Sequence, residues 1–190
     1  MLTRSEPANA KQRHLTDPQR MVLNPAAIDA IRCILEMGTM TPHDGPWRQD
    51  IIGLLNDSLA TEMVCALRYK RHHFIADGLE SPKIAEEFLM HANEDAAHAD
   101  RLAQRIVQLG GEPDFSPDAL SQRSLADYDD SADLKAMIKA NLIAERVAIE
   151  SYRQIIALIG DKDSTTRHLL EVIKSDDQAH ADELKGWLAD

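Results

Sequence analysis

A group of side chains that can bind metal ions occurs twice along the chain. Each copy has a glutamate, a tyrosine seven residues later and an Asp-x-x-His pair further on: Glu62, Tyr69, Asp95 and His98 in the first copy, and Glu145, Tyr152, Asp177 and His180 in the second. The glutamate and the histidine are 36 residues apart in one copy (98 − 62) and 35 in the other (180 − 145). Together the copies offer four carboxylates and two imidazoles, which is a ligand set for two metal ions.

The spacing of these residues favours metal binding over an ordinary structural role. Aspartate and histidine three residues apart share a helix face, so they can bind one ion together. A single pair of this kind is more often found on a protein surface, and a single tyrosine more often only packs. Here, however, both copies coincide with the apolar stripe of their helices, and several carboxylates buried together require cations. Iron or manganese accepts such mixed oxygen and nitrogen ligands, and zinc would also bind.

The composition is that of a helical protein and excludes several other classes. The chain has 190 residues, only 4% aromatic residues and a net charge of −11, which favours helices over a β-sandwich and argues against general nucleic-acid binding. No apolar run approaches the roughly 18 residues of a membrane span, and the first residues lack a secretory signal. Cys33 and Cys65 stand alone, as expected for reduced thiols in a cytoplasmic protein.

The apolar residues recur in steps of three and four, which predicts four long helices. Their expected ranges are 49–76, 82–109, 131–159 and 164–188. The segment from Gly110 to Asp130 is long for a turn, and about 20 residues can cross the length of a bundle. The sequence therefore predicts an all-α four-helix bundle in which a long crossover makes the second and third helices parallel.

The first 48 residues are predicted to form an N-terminal extension to this bundle. Residues 1–20 are polar without periodicity and are expected to be disordered, whereas residues 24–37 are expected to form a short helix. Asn24 is its predicted N-cap and Pro25 its first residue. Residues 41–48 are rich in proline and glycine, as in a linker. The expected organisation is thus an extension over 1–48 and a bundle over 49–190.

The bundle region resembles the ferritin-like superfamily and, within it, bacterioferritin and related proteins. The resemblance covers residues 49–190, and four stretches carry it: LLNDSLATEMVCALRYKRHH, HADRLAQRIVQLGGEPDF, AERVAIESY and DDQAHADEL. It implies a di-iron centre inside one four-helix bundle, with a glutamate from each of two helices and a Glu-x-x-His motif from each of the others. By position, Glu62 and Glu145 would be terminal carboxylates, and His98 and His180 terminal imidazoles. Tyr69 and Tyr152 would lie next to the ligands.

The chain departs from the family pattern at the bridging positions. Asp95 and Asp177 stand where the family has glutamates, and aspartate reaches roughly 1.5 Å less, one C–C bond. Glu94 is also on that face and could substitute for Asp95, and Asp176 holds the equivalent place in the second half. We favour Asp95 and Asp177, because both copies keep the three-residue spacing to the histidine.

Two further departures concern haem and assembly. Bacterioferritin binds haem through a methionine just after the helix-two glutamate, but this position is Ala96 here, so no haem is expected. The family's short fifth helix is not expected either, because only ten residues follow His180 (190 − 180). A homo-oligomer is expected, and a dimer, a dodecamer and a 24-subunit shell all remain open.

Three functional hypotheses follow from these residues and the resemblance. The first is a ferroxidase that binds two ferrous ions per chain and oxidises them with dioxygen or peroxide, for iron storage or detoxification. The second is a DNA-protecting mini-ferritin, although that family builds its centre between subunits whereas both half-sites occur in this chain. The third is a non-catalytic ferritin-like scaffold with a degenerate metal site, which the two aspartates suggest.

Overall fold

The computed structural model describes residues 45–78 and 81–189, which contain five helices and no strands. The helices are α1 (Arg48–Gly78), α2 (Pro82–Gln108), α3 (Pro117–Arg123), α4 (Leu134–Ile159) and α5 (Ser164–Trp187). The four long ones agree with the predicted ranges to within three residues at each end. The predicted disordered tail, the helix over 24–37 and the first four residues of the linker lie outside the described residues.

The helix boundaries follow from capping residues. Asp133 accepts a hydrogen bond from the backbone nitrogen of Ala136, so α4 begins at Leu134 rather than at the predicted residue 131. Asp163 caps α5 in the same way, through the backbone nitrogen of Thr166. At the other end of α4, Gly160 has a φ of 53°, a conformation that side chains disfavour and glycine adopts readily.

The helix directions follow from contacts between the copies of the repeated group. Tyr69 of α1 contacts Glu145 of α4, while Tyr152 of α4 contacts Glu62 of α1, so these two helices are antiparallel. Only three residues separate α1 from α2, and the two helices pack along each other, so they are antiparallel as well. Therefore α2 and α4 run in the same direction, and the predicted crossover is confirmed.

The crossover lies along α1 and is fixed to it by a series of hydrogen bonds. Polar side chains of α1 bind crossover backbone in the same order along both segments: Asn56 with Glu112 and Asp114, Thr61 with Leu125, Arg68 with Asp127, and Arg71 with Ser131. These contacts extend along α1 from Asn56 to Arg71, a rise of about 22 Å of helix. The short helix α3, which the sequence analysis did not predict, interrupts the crossover and packs on α1.

The apolar core has two parts, with polar residues between them. The first part contains large side chains from four helices: Leu55, Leu59, Leu102, Ile106, Ile155, Ile159, Leu170 and Ile173. The second part contains Tyr69, Phe88, Met137, Ile138, Leu142 and Leu184. On each of the four long helices, the repeated carboxylates and imidazoles lie between residues of the first part and residues of the second part. Apolar layers therefore close both ends of the polar region.

None of the described helices combines the length and the apolar character that a membrane span requires.

Candidate metal centre

Six of the predicted site residues meet inside the bundle. Glu62 comes from α1, Asp95 and His98 from α2, Glu145 from α4, and Asp177 and His180 from α5, and each is at most 4% exposed. Their potential ligand atoms form two groups, each within 4.8 Å: Glu62, Asp95, His98 and Asp177 in one, and Asp95, Glu145 and His180 in the other. Asp95 belongs to both groups.

The two imidazoles point the same nitrogen towards the carboxylates. Nδ1 of His98 lies 3.4 Å from Oε2 of Glu62 and 3.7 Å from Oδ1 of Asp177. Nδ1 of His180 lies 3.7 Å from Oε1 of Glu145 and 4.0 Å from Oδ1 of Asp95. The inner nitrogen of each ring is thus placed where it could share an ion with two carboxylates.

The outer nitrogen of each imidazole contacts an acidic residue on the opposite helix. Nε2 of His98 on α2 lies 3.3 Å from Oδ2 of Asp176 on α5, and Nε2 of His180 on α5 lies 2.5 Å from Oε2 of Glu94 on α2. Glu94 and Asp176 are about half-exposed. Since the carboxylate of Glu94 lies on this outer side, it does not take the place of Asp95.

The inner atoms of the cluster lack hydrogen-bond partners. Oδ2 of Asp95, both carboxylate oxygens of Asp177, and Nδ1 of His98 and of His180 are buried without a partner. Buried polar atoms in native proteins nearly always have one, because an unmet group costs about 1–3 kcal/mol. Five such atoms around one point, with oxygen and nitrogen lone pairs, fit metal ions as the missing partners.

The tyrosines complete the outer contacts of the glutamates. Tyr69 donates its hydroxyl hydrogen to Oε1 of Glu145 at 2.6 Å, and Tyr152 donates to Oε1 of Glu62. Burial, followed by the nearby glutamate charge, raises the pKa of both phenols well above 10. They therefore remain protonated donors, and each fixes one glutamate oxygen. For Glu62 the other oxygen, Oε2, faces His98, whereas the Oε1 of Glu145 that Tyr69 binds is also the oxygen nearest His180.

Crowded negative charge alters the protonation of the cluster. Burial, and then the charges of Glu145 and Glu62, raise the pKa of Asp95 well above its usual value, and the same causes raise that of Asp177. For His180, burial lowers the pKa, but the nearby carboxylates of Glu145 and Glu94 outweigh it and raise the pKa to about 9. Without metal, protons therefore supply part of the positive charge that the carboxylates require.

Comparison with known proteins identifies the family. A family model described as a ferritin-like domain matches residues 52–190. The chain belongs to the ferritin-like family. Among its relatives, bacterioferritin of Desulfovibrio desulfuricans is 28% identical over 134 residues, 68% of this chain and 69% of the relative. The DNA protection during starvation protein of Halobacterium salinarum is 30% identical over 143 residues, 72% of this chain and 78% of the relative.

A solved ferritin-like structure supports the same fold. The dodecameric thioferritin of Bacteroides fragilis, described as a bacterioferritin-related protein, superimposes with a TM-score of 0.71 at 26% identity. The match covers 75% of this chain and 86% of the other. The predicted ferritin-like bundle is therefore confirmed.

A second polar network beside the ferritin-like centre was not predicted. Arg68 is fully buried, and its Nε donates to Oδ1 of Asn141 at 2.8 Å. The Asn141 amide in turn lies 3.1 Å from Nδ1 of His72. His72 is fully buried, whereas its neighbour His73 is only half-buried. Asn141 lies four residues before Glu145 and so on the same helix face, and this polar residue was the available signal.

The centre opens towards solvent between α2 and α5. A cavity of about 500 Å³ lies over the outer faces of His98 and His180. Its lining also includes His91 and three acidic residues, Glu94, Asp176 and Glu183. His91 was not among the predicted site residues. Its ring stacks on that of His180 with 4.0 Å between the centroids, so it belongs to the surroundings of the centre.

Proposed function

We propose that this ferritin-like chain binds two ferrous ions among Glu62, Asp95, His98, Glu145, Asp177 and His180, and oxidises them with dioxygen or peroxide for iron storage or detoxification. The observation that carries the proposal is the set of five buried inner atoms without hydrogen-bond partners. Ions at this position would satisfy these atoms, whereas an ordinary protein core would leave them unmet.

The charges of the cluster support a pair of divalent ions. Its four buried carboxylates can balance the four positive charges of two ferrous ions, and they stabilise the higher charge of the ferric product. Asp95 belongs to both ligand groups, which suits a carboxylate that contacts both ions. Asp177 has two free oxygens beside His98. Asp95 is thus placed to bridge two ions despite being shorter than glutamate, and Asp177 would bind beside His98. Manganese or zinc would also fit these ligands.

The surrounding residues prepare the ligands for the metal. An imidazole that donates its Nε2 hydrogen to Glu94 or Asp176 keeps the Nδ1 lone pair directed inward, as outer contacts of metal-bound histidines usually do. Tyr69 and Tyr152 hold the two glutamates in place. The apolar layers at both ends limit water access, so the cavity between α2 and α5 is the route for ions and oxidant.

The competing ferritin-like functions differ in where the centre is built. In this structure all four long helices of a single chain contribute ligands, which favours a centre within the subunit over the intersubunit centre of the DNA-protecting class. The net charge of −11 also disfavours binding to a polyanion. A degenerate scaffold would have no need for a symmetric set of unpartnered ligands.

Anaerobic Fe(II) titration of the metal-free protein, followed by oxygen or peroxide, tests the proposal. We expect two ions bound among the six residues, with near-ultraviolet absorbance that rises faster than in buffer. Asp95→Asn/Asp177→Asn is expected to lose this rapid phase. The matched control is Asp100→Asn/Asp182→Asn, which changes two exposed aspartates on the same helices and should behave as wild type. Equal oxidation by both double variants would refute the proposed centre.

We also propose that the chain assembles into a homo-oligomer. Several large apolar side chains are at least half exposed in the single chain, among them Leu67, Phe74, Leu125, Ile143 and Leu158. Light scattering after size-exclusion chromatography distinguishes a dimer, a dodecamer and a 24-subunit shell. A monomer at micromolar concentration would contradict this proposal.

A further inference from the structure

A third group of possible metal ligands lies next to the proposed centre and shares no residue with it. Glu87 and His91 are four residues apart on α2, and Glu183 faces them from α5. One potential ligand atom from each of the three lies within 4.8 Å of the others. Residues four apart share a helix face, so α2 presents its carboxylate and its imidazole to the same point.

The histidine of this group is buried although it contacts acidic residues at the surface. The His91 side chain is 0% exposed, and its Nε2 lies 3.1 Å from Oε2 of Glu183. Its Nδ1 has no hydrogen-bond partner. Glu183 is 37% exposed, and Glu87 is partly buried. A buried imidazole between two carboxylates that solvent can reach provides both fixed geometry and access for an ion.

We propose that Glu87, His91 and Glu183 bind a third divalent cation. Imidazole and carboxylate groups both bind first-row metal ions, and water would fill the remaining positions. The two carboxylates balance the charge of one divalent ion. This assignment does not depend on iron oxidation, because it requires only that a metal replaces the contact between His91 and Glu183.

The position of the third site connects it with the cavity over the centre. His91 and Glu183 both line this cavity, and the His91 ring stacks on that of His180. Glu94, which contacts Nε2 of His180, lines the same cavity. A cation held by Glu87, His91 and Glu183 therefore lies at the solvent side of His180, next to the route into the buried cluster.

Cobalt(II) is a suitable probe, because it binds such ligands without being oxidised by air under mild conditions. Equilibrium dialysis at saturating cobalt, with metal analysis, is expected to give three ions per wild-type chain and two for Glu87→Gln/Glu183→Gln. The matched control is Glu86→Gln/Asp182→Asn, in which the neighbouring exposed acids of the same helices lose the same charge. It should retain three ions.

The inner centre is tested separately in the same experiment. Asp95→Asn/Asp177→Asn should retain the ion at His91, and anomalous diffraction from cobalt-soaked crystals should show a peak there. If Glu87→Gln/Glu183→Gln binds as many ions as wild type, or no peak appears at His91, the third site is overturned. If Asp95→Asn/Asp177→Asn binds as many ions as wild type while Glu87→Gln/Glu183→Gln binds one fewer, the proposed di-iron centre is refuted and the third site is supported.

Discussion

Tyr69 of α1 donates a hydrogen bond to Glu145 of α4 across the bundle, with 2.6 Å between the oxygens. The reciprocal contact joins Tyr152 of α4 to Glu62 of α1. Each copy of the repeated group therefore supplies the phenol for the glutamate of the other copy. Neither half of the chain can orient its own glutamate, and the centre requires both halves.

Because each tyrosine contacts the glutamate of the other copy, we expect Tyr69→Phe/Tyr152→Phe to lower the affinity for metal. Removing both hydroxyls leaves one oxygen of Glu62 and one of Glu145 without a donor, so the carboxylates are less well oriented. Such outer contacts typically change metal affinity by about 10- to 100-fold. Calorimetric titration with Mn(II) measures this loss. Tyr128→Phe, at a tyrosine that is 51% exposed, is the control and should bind as wild type.

The fold and the inner cluster could both be predicted from the sequence, because the candidate ligands and the apolar residues follow the same helical periodicity. Glu62, Glu145 and the two Asp-x-x-His pairs lie in phase with the apolar stripes, so burying the stripes brings them together. The sequence did not reveal that the tyrosines contact the glutamates of the opposite copy, because that pairing depends on helix direction. The three-residue spacing to the histidine favoured Asp95 over Glu94, but the contact of Glu94 with the outer nitrogen of His180 depends on how far α2 is rotated.

Other features could not be predicted because they arise from tertiary contacts alone. The crossover is fixed by side chains of α1 that contact backbone groups about 60 residues away, as Arg68 does with Asp127. The group of Glu87, His91 and Glu183 requires α2 and α5 to be adjacent in a known register. Only Glu87 and His91, four residues apart, gave a local signal, and such pairs are frequent on helix surfaces.

The raised pKa of His180 predicts that the metal-free protein loses stability at alkaline pH. Its folded pKa of about 9 lies above the unfolded value of about 6.5. The protonated imidazole therefore stabilises the folded state fully below pH 6.5, and this contribution is lost as the pH rises through 9. The pKa values of Asp95 and Asp177 are also raised, so their ionisation at higher pH lowers the stability of the folded state as well. Urea unfolding between pH 6.5 and 9 measures the decrease.

Variants at two histidines provide the control for this pH dependence. His180→Gln should flatten the decrease, whereas His168→Gln, at an exposed histidine of the same helix, should not. Metal-loaded protein should show the opposite trend, because protons compete with metal for the ligands and binding strengthens as the pH rises. Identical pH profiles for His180→Gln and wild type would contradict the assigned role of His180.

The two helix caps predict different losses of stability. Asp163 accepts hydrogen bonds from the Thr166 backbone at 2.9 Å and from Nη2 of Arg105 at 2.9 Å, whereas the Asp133 side chain accepts one from Ala136. An N-cap contributes typically about 1 kcal/mol, and a charged hydrogen bond adds about 1.5–3 kcal/mol. We therefore expect Asp163→Ala to lower the free energy of unfolding by about 2 kcal/mol or more, and Asp133→Ala by about 1 kcal/mol. Equal losses would show that Arg105 contributes nothing.

Replacing the two buried aspartates should stabilise the metal-free protein while weakening its response to metal. Asp95→Asn/Asp177→Asn removes two carboxyls whose ionisation is disfavoured by burial and by neighbouring charge. The free energy of unfolding of the double variant at pH 8 should therefore exceed that of wild type. In wild type, Mn(II) at 100 times its dissociation constant should add about 2.7 kcal/mol per site, and most of this should be absent in the double variant.

Thermal unfolding with and without Mn(II) separates a metal centre from a structural cluster. A structural role predicts that the double variant is less stable under both conditions, since contacts are lost and none are replaced. A metal centre predicts that the order of the two proteins reverses: the double variant unfolds at the higher temperature without metal, and wild type does so with metal. Asp100→Asn/Asp182→Asn should follow wild type under both conditions, because these exposed carboxylates lie outside the cluster. Only the metal-dependent reversal is compatible with the unpartnered atoms of Asp95 and Asp177 being ligands.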